Sequence, residues 1–245
     1  MVHDYVLLQN AYGTPEMRKV WTEQNMVQKW LDYEKVIALE MANLGMIPSD
    51  AAEDIASKST TEHLTPEMVA EFKADTGHLI VSFIKAFAKM SGPSGEHYHV
   101  GPTTQDILDT GFTMQLREAY EIIMRQLKEL ETVLVDNALR YKATVMMGRT
   151  HAQHALPMTF GFLLGTWAYE IRDHIERMKE NSKRLFRAKL TAAVGTRNTW
   201  VYLFGVERTH QLVENVCKKI DLEDTPIDTA TRADRLAEIG FALAN

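Results

Sequence analysis

Residues 103–142 read TTQDILDTGFTMQLREAYEIIMRQLKELETVLVDNALRYK. Apolar residues recur in this stretch at steps of three and four, the spacing of one helix face: Ile107, Leu108, Phe112, Leu116, Ala119, Ile122, Ile123, Leu127, Leu130, Leu134, Ala138 and Leu139. A helix over these residues is far longer than the average globular helix of about 11 to 12 residues. Helices of this length bury their apolar stripes in bundles that are larger than one chain supplies, so we expect a long-helix bundle in an oligomer.

Shorter helices are predicted on the N-terminal side of this stretch. One follows Thr14, a candidate N-cap with a proline after it, and continues to Gly45. Another begins at Thr65 and runs through Phe87, which puts His78 near its middle. The sequence SGPSG at 91–95 interrupts the helical pattern.

This interruption predicts two domains, a helical N-terminal domain over residues 1–97 and the first part of a long-helix bundle over 98–245. Further helices are predicted at 158–190, at 206–220 and from Asp228 onward. The last one keeps its apolar stripe up to the final residue, so we expect a longer protein or a covering partner. No segment shows the two-residue period of a strand, and the predicted fold class is all-α.

Composition and charge narrow the classes of function. The 245-residue chain has a net charge of -6 and a pI of about 5.9. A mildly acidic chain without a basic stripe argues against a nucleic-acid partner. No apolar run is long enough to span a membrane, and residues 1–10 lack the layout of a signal peptide. Cys217 is the single cysteine, so no intrachain disulfide is possible and a reducing cytoplasm is the expected compartment.

A polar segment at 95–106 leads into the long helix. Backbone N–H groups without helical partners meet the positive end of the helix dipole there, which favours binding of an anion. Thr103 and Thr104 add hydroxyl donors for a carboxylate or a phosphate. An ordinary cap, with a threonine capping its own helix, explains the same residues.

A second polar segment, MGRTHAQHALP at 147–157, is predicted to form a turn between two helices. His151 and His154 would face one side if the turn is helical, and a histidine that titrates near neutral pH is the usual proton donor or acceptor. Histidines that cap helix ends or satisfy buried carbonyls are the alternative. The chain has no HExxH motif, cysteine pair or glycine-rich phosphate loop, so neither a metal nor a cofactor is expected.

Two other sets of residues have simpler explanations. His78, taken alone, is a histidine of a helix surface or of the core. A basic run near the end of the predicted helix 158–190 is interpreted as a solvated face; it consists of Lys179, Lys183, Arg184, Arg187 and Lys189.

Three segments resemble, in the same order, the motifs of a known family. Residues 145–161, VMMGRTHAQHALPMTFG, look very like the GRTH segment of adenylosuccinate lyases. Residues 99–110, HVGPTTQDILDT, resemble the family's H-x-G-x-T-S-x-D-x-x-D-T segment, and residues 14–21, TPEMRKVW, look like its opening helix. Because the resemblance covers nearly the whole chain, the chain is identified as a member of the fumarase/aspartase (fumarate lyase) superfamily, whose members are helical homotetramers.

The resemblance implies β-elimination of an N-succinyl compound with release of fumarate. A base removes the proton next to a carboxylate, the carbanion is held as an aci-carboxylate, and a general acid protonates the departing nitrogen. By motif, His151 is the general acid and His78 a second catalytic residue. The implied substrate-binding residues are His99, Thr103, Thr104, Gln153 and Arg149. The implied partners are a small dicarboxylate-containing substrate and three further copies of the protein, with active sites shared between subunits.

The sequence also departs from the family pattern. The signature loop of the type G-S-S-x-M-P-x-K-x-N-P, which carries the serine base, is not in the sequence, and we expect it beyond Asn245 in a longer protein. Ala11 and Thr14 stand where adenylosuccinate lyases have arginines that contact the nucleotide phosphate. Residues 226–235 hold no glutamine, where those enzymes place one that binds substrate. These departures favour a succinyl adduct that is not a nucleotide.

Two alternatives stay open. The pair Gln105–Asp106 and the triplet Asp109–Gly111 suit 3-carboxy-cis,cis-muconate cycloisomerases, although His151 argues against that group. A catalytically incomplete helical assembly fragment would account for the absent loop.

Overall fold

The computed structural model of the chain describes residues 11–225, 227 and 234–244. Its helices are α1 (Pro15–Val20), α2 (Glu23–Asn43), α3 (Ser49–Lys58), α4 (Pro66–Thr76), α5 (Leu79–Ser91), α6 (Thr104–Arg140), α7 (Phe160–Leu185), α8 (Asn198–Phe204), α9 (Val206–Ile220) and α10 (Asp234–Ala244). A 3₁₀ helix covers Gly92–His97, and two strands, β1 (Val145–Thr150) and β2 (Gln153–Thr159), form a hairpin. The helical fold class and the very long helix α6 are confirmed.

The chain forms two compact units. Unit 1 contains the described residues within 11–118 and 186–227, and unit 2 contains those within 119–185 and 234–244. The division therefore falls inside α6, and the predicted boundary near residue 97 lies within unit 1. A separate domain over residues 1–97 stays a prediction.

Unit 1 has a large apolar core built around α2. Trp30, Leu31, Ile37 and Met41 of this helix are all buried, at the three- and four-residue spacing that one helix face requires. Edge-on contact between the rings of Trp30 and Phe83, with centroids 5.5 Å apart, joins α2 to α5. Buried side chains of α9 and of residues 188–190 belong to the same core.

Side-chain caps divide two helices that the sequence pattern joined. The predicted helix from Thr14 to Gly45 stops after α1, because the hydroxyl of Thr22 accepts the N–H of Asn25 and begins α2. The predicted helix through His78 is likewise wrong at its middle. Gly77 ends α4 in the left-handed region at φ 61°, and His78 is the N-cap of α5, with its Nδ1 3.4 Å from the N–H of Val81.

The predicted helix 158–190 ends at Leu185, and residues 186–197 return to unit 1 as irregular chain. The short helix α8 after them was not foreseen. Its Trp200 is fully buried and donates from Nε1 to the carbonyl of Val100 at 2.9 Å. Gly101, at φ 108°, lies directly against this indole, and a Cβ built on it would overlap the ring.

Unit 2 consists of the second half of α6, the hairpin, α7 and α10. The hydroxyl of Tyr120 donates to the carbonyl of Met178 at 3.1 Å, and Arg172 is paired with Glu131 at 2.5 Å, so both contacts join α6 to α7. Many large apolar side chains of this unit are exposed in the described chain: Leu130, Val133, Val135, Leu139, Phe162, Trp167, Tyr169, Leu236, Phe241 and Leu243.

The hairpin β1–β2 corrects the prediction that the chain has no strands, and it occupies the place of the turn that was predicted between two helices at 147–157. Its two-residue turn is His151 and Ala152, with φ 48° and 61°, as two-residue hairpins of type I′ require. Almost all of its residues are exposed on both faces. A strand without a buried face has no alternating pattern, which is why the sequence did not reveal it.

Two remaining predictions concern the last helix of the chain and membrane-spanning segments. The last predicted helix is present as α10, and its foreseen start at 228–233 lies outside the described residues, as do Asn245 and residues 1–10. Within the described ranges, no helix is long and apolar enough to cross a membrane.

We predict that Gly101→Ala lowers the free energy of unfolding by at least about 2 kcal/mol, because the new methyl group overlaps Trp200 and the left-handed φ disfavours alanine. Urea unfolding followed by tryptophan fluorescence measures this. Gly165→Ala in α7 is the control, because open space surrounds that position and alanine suits a helix interior. Equal stability of the two variants would contradict the assigned packing.

Candidate active site

The start of α6 is organised by one buried carboxylate. Asp106 is fully buried, and its Oδ2 accepts the N–H of Thr103 at 3.0 Å and that of Ala192 at 2.9 Å. Its Oδ1 accepts the N–H of Thr191 at 3.2 Å and the hydroxyl of the same residue at 2.8 Å. The carboxylate therefore caps its own helix and fixes residues 191–192 against the helix start.

Burial and hydrogen bonding act on Asp106 in opposite directions. Burial raises the pKa of its carboxyl, while the donors of Thr103, Thr191 and Ala192 lower it, and the net direction is upward. The donors thus offset most of a desolvation penalty that an isolated buried carboxylate could not sustain.

The hydroxyls of Thr103 and Thr104 stay available to a ligand. Within the described chain, neither hydroxyl has a hydrogen bond, and both residues are half-buried. The alternative of a threonine capping its own helix is not observed among the described residues, because the side-chain hydrogen bond at this helix start is the one from the N–H of Thr103 to Asp106. The result, within the described chain, is a helix start with free N–H groups and two free hydroxyls, an arrangement suited to an anion.

A second buried charge, that of Lys189, is paired with a carboxylate one turn further along α6. The side chain of Lys189 is only 1% exposed, and its Nζ is 2.8 Å from Oδ2 of Asp109. The other oxygen of Asp109 accepts from Nε2 of Gln105 at 2.6 Å, while the hydroxyl of Thr110 bonds the backbone of Lys189. The interpretation of Lys189 as part of a solvated face is therefore wrong: the helix ends at Leu185, and the chain turns inward.

His99 lies just before α6 and is held by a buried partner. Its Nδ1 is 2.6 Å from Oε1 of Glu34, whose side chain is 1% exposed. Burial lowers the pKa of the imidazole, but the charge and hydrogen bond of Glu34, helped by Asp106, outweigh it, and the pKa of His99 is raised. The ring is therefore charged over a wider pH range than a free histidine.

His78 caps the start of α5 and is exposed. Its Nδ1 accepts the N–H of Val81, so Nε2 is the ring nitrogen without a hydrogen bond among the described residues. His78, His99, Thr103 and Thr104 all belong to unit 1.

The other predicted site residues belong to the hairpin of unit 2. His151 occupies the first position of the tight turn, and the residues of the turn are exposed. Arg149 is paired with His154, and Thr150 with Gln153. Paired residues share a face and successive pairs alternate, so Arg149 and Gln153 flank His151 from opposite faces of the hairpin.

Sequence reasoning missed Glu34, the partner of His99, and did not pair Asp109 with Lys189. Glu34 carried a readable signal, since it occupies a position of the α2 apolar stripe between Leu31 and Ile37. Asp109 and Lys189 are 80 positions apart and carried no such signal. No cluster of three or more His, Cys, Asp or Glu side chains suited to a metal occurs among the residues that the structure describes.

Comparison with known proteins gives consistent matches. A family model described as Lyase matches residues 10–245. The chain is 42% identical over 235 residues to adenylosuccinate lyase of Methanocaldococcus jannaschii, covering 95% of this chain and 50% of that protein. It is 36% identical over 235 residues to N-acetyl-S-(2-succino)cysteine lyase of Dickeya dadantii, covering 96% of this chain and 51% of that one. The chain thus spans about half the length of these relatives.

A solved structure supports the fold. The 3-carboxy-cis,cis-muconate lactonizing enzyme of Pseudomonas putida superposes with a TM-score of 0.88 at 27% identity, covering 97% of this chain and 54% of that one.

We predict that Asp106→Asn lowers the free energy of unfolding by roughly 2–4 kcal/mol, because an amide nitrogen would face backbone N–H groups and leave them unsatisfied. Urea denaturation gives the value. Asp136→Asn, on an exposed position of the same helix, is the matched control and should change stability little. A loss below about 0.5 kcal/mol at Asp106 would show that this carboxylate does not organise the helix start.

Proposed function

The chain belongs to the lyase family whose model it matches, the fumarate lyase superfamily, and we propose that the protein catalyses β-elimination of a succinyl compound with release of fumarate. The observation that carries the proposal is the start of α6. Within the described chain, free N–H groups, two hydroxyls without a hydrogen bond and the imidazole of His99, whose pKa is raised by Glu34, lie within one short segment, which suits a carboxylate.

Each predicted site residue has a role in the proposed elimination. Thr103 and Thr104 bind the carboxylate next to the carbon that loses its proton, and stabilise the negative charge as it develops. The C–N bond then breaks, its electron pair goes to the nitrogen, and His151 gives that nitrogen a proton. Arg149 and Gln153 lie near the acid in the hairpin, and by motif His78 is a second catalytic residue and His99 a substrate-binding one. The base is the serine of the loop that this sequence does not contain.

The succinyl part of the substrate is better supported than the remainder. Relatives at 42% and 36% identity are named for a nucleotide substrate and for a succinylated cysteine, respectively. Ala11 and Thr14 replace the phosphate-contacting arginines that the resemblance implies, so we favour a non-nucleotide N-succinyl compound. A cytoplasmic location stays a prediction, and a role in purine biosynthesis would require a nucleotide substrate instead.

We also propose that the protein is a homotetramer whose active sites are shared between subunits. The exposed apolar side chains of α6 and α7 support this, since a single chain leaves them in contact with water. A two-stranded hairpin with both faces exposed is marginally stable by itself, so a neighbouring subunit would also stabilise β1–β2. Analytical ultracentrifugation tests the proposal, and a fully active monomer would contradict it.

A cycloisomerase-like reaction is the second candidate, and the fold similarity to the muconate lactonizing enzyme favours it. The pair that suggested it serves structure in this chain, because Asp106 is buried among backbone donors and Gln105 bonds Asp109. His151, as a proton donor for a departing nitrogen, favours the lyase.

We predict that His151→Ala lowers kcat about a hundredfold or more, because the departing nitrogen loses its proton donor. The ultraviolet absorbance of released fumarate measures the rate with adenylosuccinate and with N-succinyl amino acids. His154→Ala, three residues along the same hairpin, is the matched control and should stay within a few-fold of the unsubstituted protein.

A near-normal rate for His151→Ala would remove this histidine as the acid. No fumarate from any succinyl compound, together with turnover of a carboxymuconate, would favour the second candidate.

A further inference from the structure

Glu34 is a buried carboxylate in the apolar core of unit 1. It lies on the core-facing side of α2, in the same turn as the fully buried Tyr33, and its side chain is 1% exposed. A lone carboxylate in such a place is costly, so its retention needs a compensating charge.

The compensating charge is His99. The 2.6 Å contact between Nδ1 and Oε1 is short, as expected for a hydrogen bond between charged partners. The backbone of His99 lies in the left-handed region at φ 57°, which fixes the direction of its Cα–Cβ bond. The second oxygen of Glu34 and the hydroxyl of Tyr98 have no hydrogen-bond partner among the described residues. Among the described residues, His99 is thus the one hydrogen-bonding partner of the Glu34 carboxylate.

The electrostatic surroundings of His99 come from two helices and its own segment. Glu34 on α2 and Asp106 on α6 both favour the charged ring. Burial raises the pKa values of the phenols of Tyr98 and Tyr33. Glu34 raises both further, and Asp106 adds to the effect at Tyr33, so both phenols stay neutral. The negative charge that acts on the ring therefore comes from the two carboxylates.

The hydrogen bond to Glu34 leaves the Nε2 atom of His99 available to a ligand. Nδ1 gives its proton to the hydrogen bond with Glu34, so a charged ring presents Nε2–H as its remaining donor. Within the described chain, Glu34 is the one hydrogen-bonding partner of this side chain, and 11% of the side chain is exposed. The ring can therefore reach a ligand while its other end stays fixed.

We infer that Glu34 is a positioning residue: it fixes the ring of His99 through Nδ1, so that Nε2–H donates to an anionic group of the substrate. The inference rests on the proposed function for its substrate, a succinyl compound. The anionic group is a carboxylate or a phosphate, and the start of α6 four residues further on would share the same ligand.

A matched control lies on the same helix. Glu40 is also buried on α2, at 5% exposure, but its Oε2 accepts from the neutral amide of Asn215 at 3.1 Å. Glu34→Gln and Glu40→Gln make the same chemical change in the same core, and a purely structural role predicts similar effects from both.

The first experiment titrates the histidine rings by NMR in the intact protein. Glu34→Gln should lower the pKa of His99 by about one unit or more, because the burial that opposes the charge remains and the carboxylate is gone. Glu40→Gln should leave it unchanged, and thermal unfolding checks that both variants fold.

If Glu34→Gln does not fold, Glu34→Asp, which keeps the charge and shortens the reach, should retain the raised pKa and lose the short Nδ1 hydrogen-bond signature. An unchanged His99 titration in a folded Glu34→Gln variant would overturn the inference.

The second experiment follows the Nε2 resonance of His99 while fumarate or inorganic phosphate is added. A shift with fumarate alone identifies the anionic group as a carboxylate, and a shift with phosphate alone identifies a phosphate. The inference expects at least one of these shifts, and expects Glu34→Gln to weaken it about tenfold. No shift with either anion would contradict it.

Kinetics separate this inference from the proposed function. Glu34→Gln should raise KM about tenfold at neutral pH with kcat little changed, and the pH at which KM begins to rise should move downward. Glu40→Gln should do neither. If the unsubstituted protein releases no fumarate from any succinyl compound, the proposed function fails, and the NMR titrations still decide the role of Glu34. Normal activity with an unaltered KM profile in Glu34→Gln would overturn the inference alone.

Discussion

The hydrogen bonds to the carboxylate of Asp106 are the interaction on which the candidate site depends. This one side chain caps α6 and, through Thr191 and Ala192, fixes a segment that is 85 positions away in sequence. Because the cap is provided from within the helix, the hydroxyls of Thr103 and Thr104 are not consumed by it. A helix start suited to an anion is thereby held rigidly. Asp106 provides the rigid support, and Thr103 and Thr104 keep their hydroxyls for a ligand.

Buried charges surround that support, and each is neutralised by a named partner. Lys189 is paired with Asp109, Glu34 with His99, and Asp106 with backbone donors. Removing one partner of such a set exposes the other to an apolar interior, so these groups specify one arrangement more strongly than apolar packing would. The site is therefore held by polar contacts that a small displacement would break.

The sequence predicted the parts of the fold that have long periodic patterns, and α6 and α9 were found for that reason. It failed where a single side chain decides the geometry. Thr22 and Gly77 interrupt helices whose apolar spacing continues, and the hairpin has no buried face to produce a pattern. The pairing of Lys189 with Asp109 depends on the return of residues 186–197 to unit 1, and local spacing carries no information about such a return. The positions of the site residues along the chain came from the resemblance, and their roles are still proposals.

The hairpin tip has a consequence for how this chain can diverge. His151 stands in an exposed turn of an exposed hairpin, so its side chain contributes little to the stability of the described chain. Exchange of this residue is therefore limited mainly by the positive φ of its turn, whereas Glu34 and His99 can change only together. Selection can thus replace the proposed proton donor while the proposed anion-binding segment is inherited intact. If both proposed roles hold, one scaffold can acquire a new reaction through substitutions at the hairpin turn and still bind acidic substrates.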